Sequence, residues 1–270
     1  MRISISNLAW DIEEDNNVAA LLQEFNVNAI DIAPGKYFPN IKKATSSEIR
    51  AVKTWWAEHG IELVGMQALL FGTSGLNVFG TESVQRQLLE HLSAICFIGA
   101  ELGATRLVFG SPKNRDCTGL SAEEITSIST DFFGRLGDIA SDYGVIICLE
   151  PNPAVYGANF MTTSHETCEV VKHIAHPSIK MQLDTGAMII NKEDYNLVIQ
   201  ESKSYIGHIH VSEPQLIPPS DRYGNHEQLS KIIKSSFPSQ LATIEMLATK
   251  EEPHTVSIRR ALDYVTSLYR

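Results

Sequence analysis

The chain has 270 residues, 43% hydrophobic and 20% charged, ordinary globular values that argue against disorder and suit an α/β barrel that fills this length as one unit. Acidic residues outnumber basic ones by 32 to 22, and the net charge of −10 argues against a nucleic-acid or anionic-membrane surface. The four cysteines (Cys96, Cys117, Cys148 and Cys168) form no C-x-x-C pair, so reduced thiols in a cytoplasmic protein are expected rather than disulfides or structural zinc.

The opening MRISISNLAW reads as a strand, not as a basic segment ahead of an apolar one, so no signal peptide is expected. No apolar run reaches the roughly 18 residues of a membrane span. Short, apolar, β-branched segments then recur and predict strands at Arg2–Ser6, Ala29–Ile32, Glu62–Met66, Arg106–Phe109, Val145–Glu150, Lys180–Asp184, Gly207–Val211 and Leu241–Met246. Segments of helical period lie between them. Thr45 with Glu48, Ser121 with Glu124 and Thr163 with Glu166 have the spacing of capping boxes, and Asn191 is the expected N-cap of a shorter helix. Gly60, Gly103 and Gly144 each end a helix directly before a strand. Strict alternation implies a parallel sheet, and eight units close it into a (β/α)8 TIM barrel. No G-x-G-x-x-G follows the first strand, which disfavours a dinucleotide fold. With no linker or low-complexity tract in view, residues 1–270 are expected to form a single TIM-barrel domain.

Such a barrel carries its chemistry at the C-terminal ends of its strands. Four consecutive strand ends are ionisable: Glu150 closes VIICLE, Asp184 closes IKMQLD, His208 and His210 stand in GHIHV, and Glu245 closes LATIE. Taken singly, each has a plain structural explanation. A strand-end Asp caps a loop, a His is hydrogen-bonded in the core, and a Glu pairs with Lys or Arg. Taken together, three carboxylates in one barrel mouth repel one another, and these strand ends supply no Lys or Arg to neutralise them. One divalent ion resolves the repulsion, and carboxylate oxygens plus an imidazole suit Mn²⁺, Mg²⁺, Co²⁺ or Zn²⁺.

The strings CLEPN, QLDTG, GHIHVSE and TIEM, in this order at the last four strands, resemble the sugar isomerase/epimerase superfamily with the xylose-isomerase-like barrel. That superfamily includes ketose 3-epimerases, hydroxypyruvate isomerase and inosose-processing enzymes. The resemblance covers the element order of the whole chain, and its motifs cover the second half best. It implies that Glu150, Asp184, His210 and Glu245 bind one divalent metal, with His210 chosen as the second His of G-H-x-H. It also implies that Glu150 and Glu245 exchange protons with the substrate. His208 lies two residues before His210 on the same strand face, one layer deeper, to orient a ligand or touch substrate. The implied chemistry is proton abstraction next to a carbonyl through an enediolate, which gives epimerisation or isomerisation of a sugar or sugar derivative. Loss of a β-hydroxyl at the same site would instead make a dehydratase of an inosose-type polyol ketone. A non-catalytic sugar- or metal-binding barrel is the remaining class, poorly matched to two proton-transfer groups. Enzymes of this kind are often homo-oligomers.

The resemblance breaks at substrate-gripping positions. Free-ketose 3-epimerases carry a His three residues after the metal Asp, an Arg six after the metal His and a Glu shortly after the first metal Glu; here stand Ala187, Leu216 and, locally, Tyr156. A free ketohexose is therefore not implied. Endonuclease IV, a DNA-repair relative, needs extra His ligands on the early strands, where this chain has Gln67 and Ser111. Further pocket candidates are Trp10 to wall a sugar face and Gln67 to hydrogen-bond a hydroxyl. Lys113 and Arg115 could receive an anionic group, although an exposed, solvated loop is the plainer reading for both. Arg222, in the Pro-rich loop Glu213–Asn225, is another anion-gripping candidate, and that loop has the makings of a lid. Gln182 is expected one layer below Asp184.

Overall fold

The computed structural model describes residues 1–219 and 224–270, so Arg222 lies outside the described residues. Eight parallel strands form a closed barrel in chain order: β1 (Arg2–Ser6), β2 (Ala29–Ile32), β3 (Glu62–Met66), β4 (Arg106–Phe109), β5 (Ile146–Leu149), β6 (Ile179–Asp184), β7 (Ile206–Ser212) and β8 (Leu241–Glu245). Closure is made by β1 and β8, paired from Arg2↔Leu241 to Ile5↔Ile244. The strands coincide with the predicted ones to within a residue at each end. Helices fill the connections: α1 (Asp15–Glu24), α2 (Pro34–Tyr37), α3 (Ser46–Glu58), α4 (Glu82–Leu102), α5 (Ala122–Asp142), α6 (Ser164–Ile174), α7 (Thr185–Asn191), α8 (Tyr195–Ser202), α9 (His226–Ser236) and α10 (His254–Tyr269). Among the described residues, no helix is long and apolar enough to cross a membrane.

The longer outer helices turn an apolar stripe onto the barrel. In α10 the buried residues Ile258, Ala261, Leu262 and Val265 recur at the i, i+3, i+4, i+7 spacing of a single helix face. Burying one such aliphatic side chain contributes about 1.5–3 kcal/mol, so the barrel rests on many modest terms.

The helix starts follow local hydrogen bonding. Thr45 with Glu48 and Ser121 with Glu124 form reciprocal capping boxes on α3 and α5. The third expected box is only half made. Thr163 Oγ1 accepts from Glu166 N at 3.1 Å, but the Glu166 carboxylate turns back to accept from Met161 N and Thr162 N, at 3.0 and 2.7 Å. Asn191 is not an N-cap: it is the last residue of α7, and its side chain donates to Thr162 O. Asp194 caps α8 instead, accepting from Asn196 N and Leu197 N. Gly60, Gly103 and Gly144 end α3, α4 and α5 at φ values of 72°, 83° and 67°. All four cysteines are buried and free.

Candidate metal centre

The register between strands decides which side chains share a layer. Asp184 pairs with His210 across β6 and β7, and Gln182 pairs with His208 one layer below. Ser212 pairs with Glu245 across β7 and β8, which sets Glu245 at the mouth. Glu150 follows the last residue of β5. Ligand atoms of Glu150, Asp184, His210 and Glu245 all come within 4.8 Å of one another.

His210 is fully buried at the centre of this group, with Nδ1 at 3.3 Å from Glu150 Oε1 and 3.2 Å from Glu245 Oε2. Asp184 is tied down on both oxygens: Oδ1 accepts from Ala187 N at 2.6 Å and Oδ2 from Ser212 Oγ at 2.7 Å. It is thus at once the N-cap of α7 and a member of the cluster. Burial, followed by the charges of Glu150 and Glu245, pushes its carboxyl up to about 7. Burial alone would lower the His210 imidazole, but the charge of Glu245 and the close carboxylates of Asp31 and Glu150 outweigh it and hold the ring well above its usual range.

These features fit a divalent cation. Glu150 Oε1 and both ring nitrogens of His210 are buried with no well-formed hydrogen bond. Crowding by Glu150 and Glu245 raises the affinity of Asp184 for a proton, and the donors are oxygen and imidazole nitrogen of the kind such ions take.

Two adjoining cavities of about 300 and 280 Å³ open beside the cluster and share Glu150, Asn152, Leu216 and Glu245 in their walls. Gln67 and Ser111 line one lobe; Ala187, Leu216 and Tyr156 line the other, which Glu213 also borders.

The other sequence candidates fall in varied places. Gln67 is buried and donates to Ser6 Oγ, with its Oε1 left unpartnered beside the cavity. His208 faces inward beneath His210, its Nε2 donating to Asp31 Oδ2 at 2.6 Å. Trp10 lines neither lobe. It is fully buried, donates from Nε1 to Asp15 at 2.7 Å and packs edge-on against Trp56, because the apolar shell under α1 and α3 takes the indole in. Lys113 is exposed and lines neither lobe. Arg115 departs from the expected solvated loop: it is 0% exposed and donates from Nη1 to the Glu150 carbonyl at 2.7 Å. Burial lowers its guanidinium to about 10, against the opposing charges of Glu150 and Glu166. It buttresses the backbone of Glu150 rather than meeting an anion in solvent.

Three neighbours escape a reading confined to strand ends. Asp31 lies inside the apolar β2, where one acidic residue in AIDI was the available signal. Glu213, which follows β7, and His226, which opens α9, are both buried and 3.2 Å apart.

Residues 19–246 match the profile of the family described as "Xylose isomerase-like TIM barrel". Over 85 residues the chain is 29% identical to D-psicose 3-epimerase of Ruminiclostridium cellulolyticum, a match covering 32% of this chain and 29% of that relative's length. The solved D-psicose 3-epimerase with D-tagatose from Clostridium cellulolyticum H10 superposes with a TM-score of 0.82 at 16% identity, covering 100% of both chains. The IolI protein with a bound zinc atom superposes at 0.75 with 16% identity, covering 100% of this chain and 98% of that one.

Proposed function

Because the chain belongs to the xylose isomerase-like TIM-barrel family, we propose that it is a divalent-metal-dependent epimerase or isomerase of a sugar or sugar derivative, with Glu150 and Glu245 as its proton-transfer groups. The observation that carries this reading is the convergence of Glu150, Asp184, His210 and Glu245 at the C-terminal mouth of the barrel. Solved relatives with D-tagatose in one case and a zinc atom in another support it by analogy.

Glu150, Asp184, His210 and Glu245 would hold the ion, which when bound polarises a carbonyl oxygen and so acidifies the neighbouring C–H. Glu150 and Glu245 border both lobes, so a carbon seated between the lobes meets both carboxylates. One removes the proton as general base, and the same or the other returns it. Asp184, with both oxygens already accepting hydrogen bonds, serves as a fixed ligand rather than a proton carrier. Gln67, Ser111 and Asn152 offer hydrogen bonds to hydroxyls from the walls. Ala187, Leu216 and Tyr156 give the other lobe an apolar face, which favours a sugar derivative over a free ketohexose.

The test is incubation of Mn²⁺-loaded protein with free ketoses, ketose phosphates, keto-glycosides and inososes, with products read by ¹³C NMR. Interconversion that EDTA abolishes and Mn²⁺ restores is the expected result. Metal-loaded protein that converts no member of the panel contradicts the reading.

A further inference from the structure

Asp31 is a buried carboxylate that the proposed proton transfer leaves unused. It sits in β2 directly opposite Gly65 of β3. Its Oδ2 accepts from His208 Nε2 at 2.6 Å and lies 3.6 Å from His210 Nε2, with all three side chains at most 4% exposed. His210 therefore presents one ring nitrogen to Asp31 and the other, Nδ1, to Glu150 and Glu245. A carboxylate beside one imidazole nitrogen favours a proton there and leaves the lone pair on the other for a metal.

The room for this carboxylate comes from a glycine. A Cβ at Gly65 would lie 2.6 Å from Asp31 Oδ1, 2.7 Å from Cγ and 2.8 Å from Oδ2, so any larger residue drives Asp31 out of place. Thr243 Oγ1 lies 3.4 Å from the same His208 Nε2 that meets Asp31. The contacts thus run Gly65, Asp31, His208 and His210, across β3, β2 and β7.

Resting on the metal reading above, we infer that Asp31 is a positioning residue. Held by His208 and seated over Gly65, it fixes the His210 ring with Nε2 as donor and Nδ1 as ligand to the ion. Gly65 and His208 act through it.

The test uses histidine-¹⁵N-labelled, Zn²⁺-loaded protein, with ring shifts read by NMR and Zn²⁺ affinity read by competition with a chromophoric chelator. The expected spectrum has His210 protonated on Nε2 and metal-bound on Nδ1. Asp31→Ala and Gly65→Ala should each weaken Zn²⁺ binding by roughly 10–100-fold. His208→Gln keeps an N–H donor for Asp31 and should retain most of the affinity, whereas His208→Leu should not; a mere packing role would not separate the two. Zinc on Nε2 of His210, or wild-type affinity in Asp31→Ala, overturns the inference while leaving the proposed function standing. Should Asp31→Ala fail to fold, the wild-type spectrum alone decides. Protein that holds no divalent ion overturns the proposed function and this inference together.

Discussion

Gly110→Ala isolates the position of Glu150 from everything else in the site. Gly110 follows β4 and does not have a positive φ, so alanine there adds volume without backbone strain. The added methyl would lie 3.1 Å from Glu150 Cδ, closer still to Oε2, and 3.6 Å from Asn152 Nδ2. Carbon atoms settle at about 3.5–4.0 Å, so the carboxylate must retreat by about 1 Å. Misplacement on that scale costs roughly 100-fold in rate, or about 2.7 kcal/mol of transition-state stabilisation. If Glu150 is both ligand and proton carrier, metal affinity and turnover fall together. The assay is metal-dependent sugar interconversion beside chelator competition, with thermal unfolding to check the fold. Gly134→Ala in α5, where a methyl meets nothing within 4 Å, is the control. Wild-type turnover and metal affinity in Gly110→Ala would refute the placement of Glu150 at the reacting centre.

Glu150→Gln and Glu245→Gln should each remove turnover by a factor of about 10²–10⁴ or more, while His210→Ala mainly weakens metal binding; kinetics at saturating and limiting Mn²⁺ separate the two effects. Added metal at about 100 times its dissociation constant should stabilise the fold by roughly 2.7 kcal/mol, a rise in melting temperature of about 5–10 °C that EDTA reverses. The pH dependence has a defined sign. Asp184 sits at about 7 when folded, above its unfolded value, so its contribution to metal-free stability is present below the unfolded value and lost as pH rises through about 7. Metal affinity should rise over the same interval, since the ion displaces that proton, and isothermal titration at several pH values reads this directly. Trp10→Phe removes the indole donor to buried Asp15 and should cost about 1–3 kcal/mol in urea unfolding while leaving turnover intact, as befits a residue of the packing shell.

The barrel was legible because its strands are short apolar runs with glycines and caps between them, and parallel pairing follows from the alternation. The cluster at Glu150, Asp184, His210 and Glu245 was legible because each interrupts or ends an apolar strand, where charge is hard to explain otherwise. What escaped depends on contacts far apart in sequence. Arg115 reads as a solvated loop residue until the fold buries it under the Glu150 carbonyl. Trp10 reads as a pocket wall until α1 and α3 enclose it. Asp31 lies 177 positions from the His208 that it meets, and no local pattern announces that pairing. One capping box of three stayed half made because of a competing partner: Glu166 serves the backbone of Met161 and Thr162 instead of its own cap.

The central claim is that Glu150 and Glu245 move a proton on a carbon next to a carbonyl when the site holds a divalent ion. Deuterium uptake from D₂O into a keto-sugar, followed by NMR with Mn²⁺ and with EDTA, measures that step even where net conversion is slight. Metal-dependent uptake at the carbon next to the carbonyl, absent in Glu150→Gln and Glu245→Gln, is the predicted result. Undiminished uptake in both variants, or uptake that persists in EDTA, would contradict it.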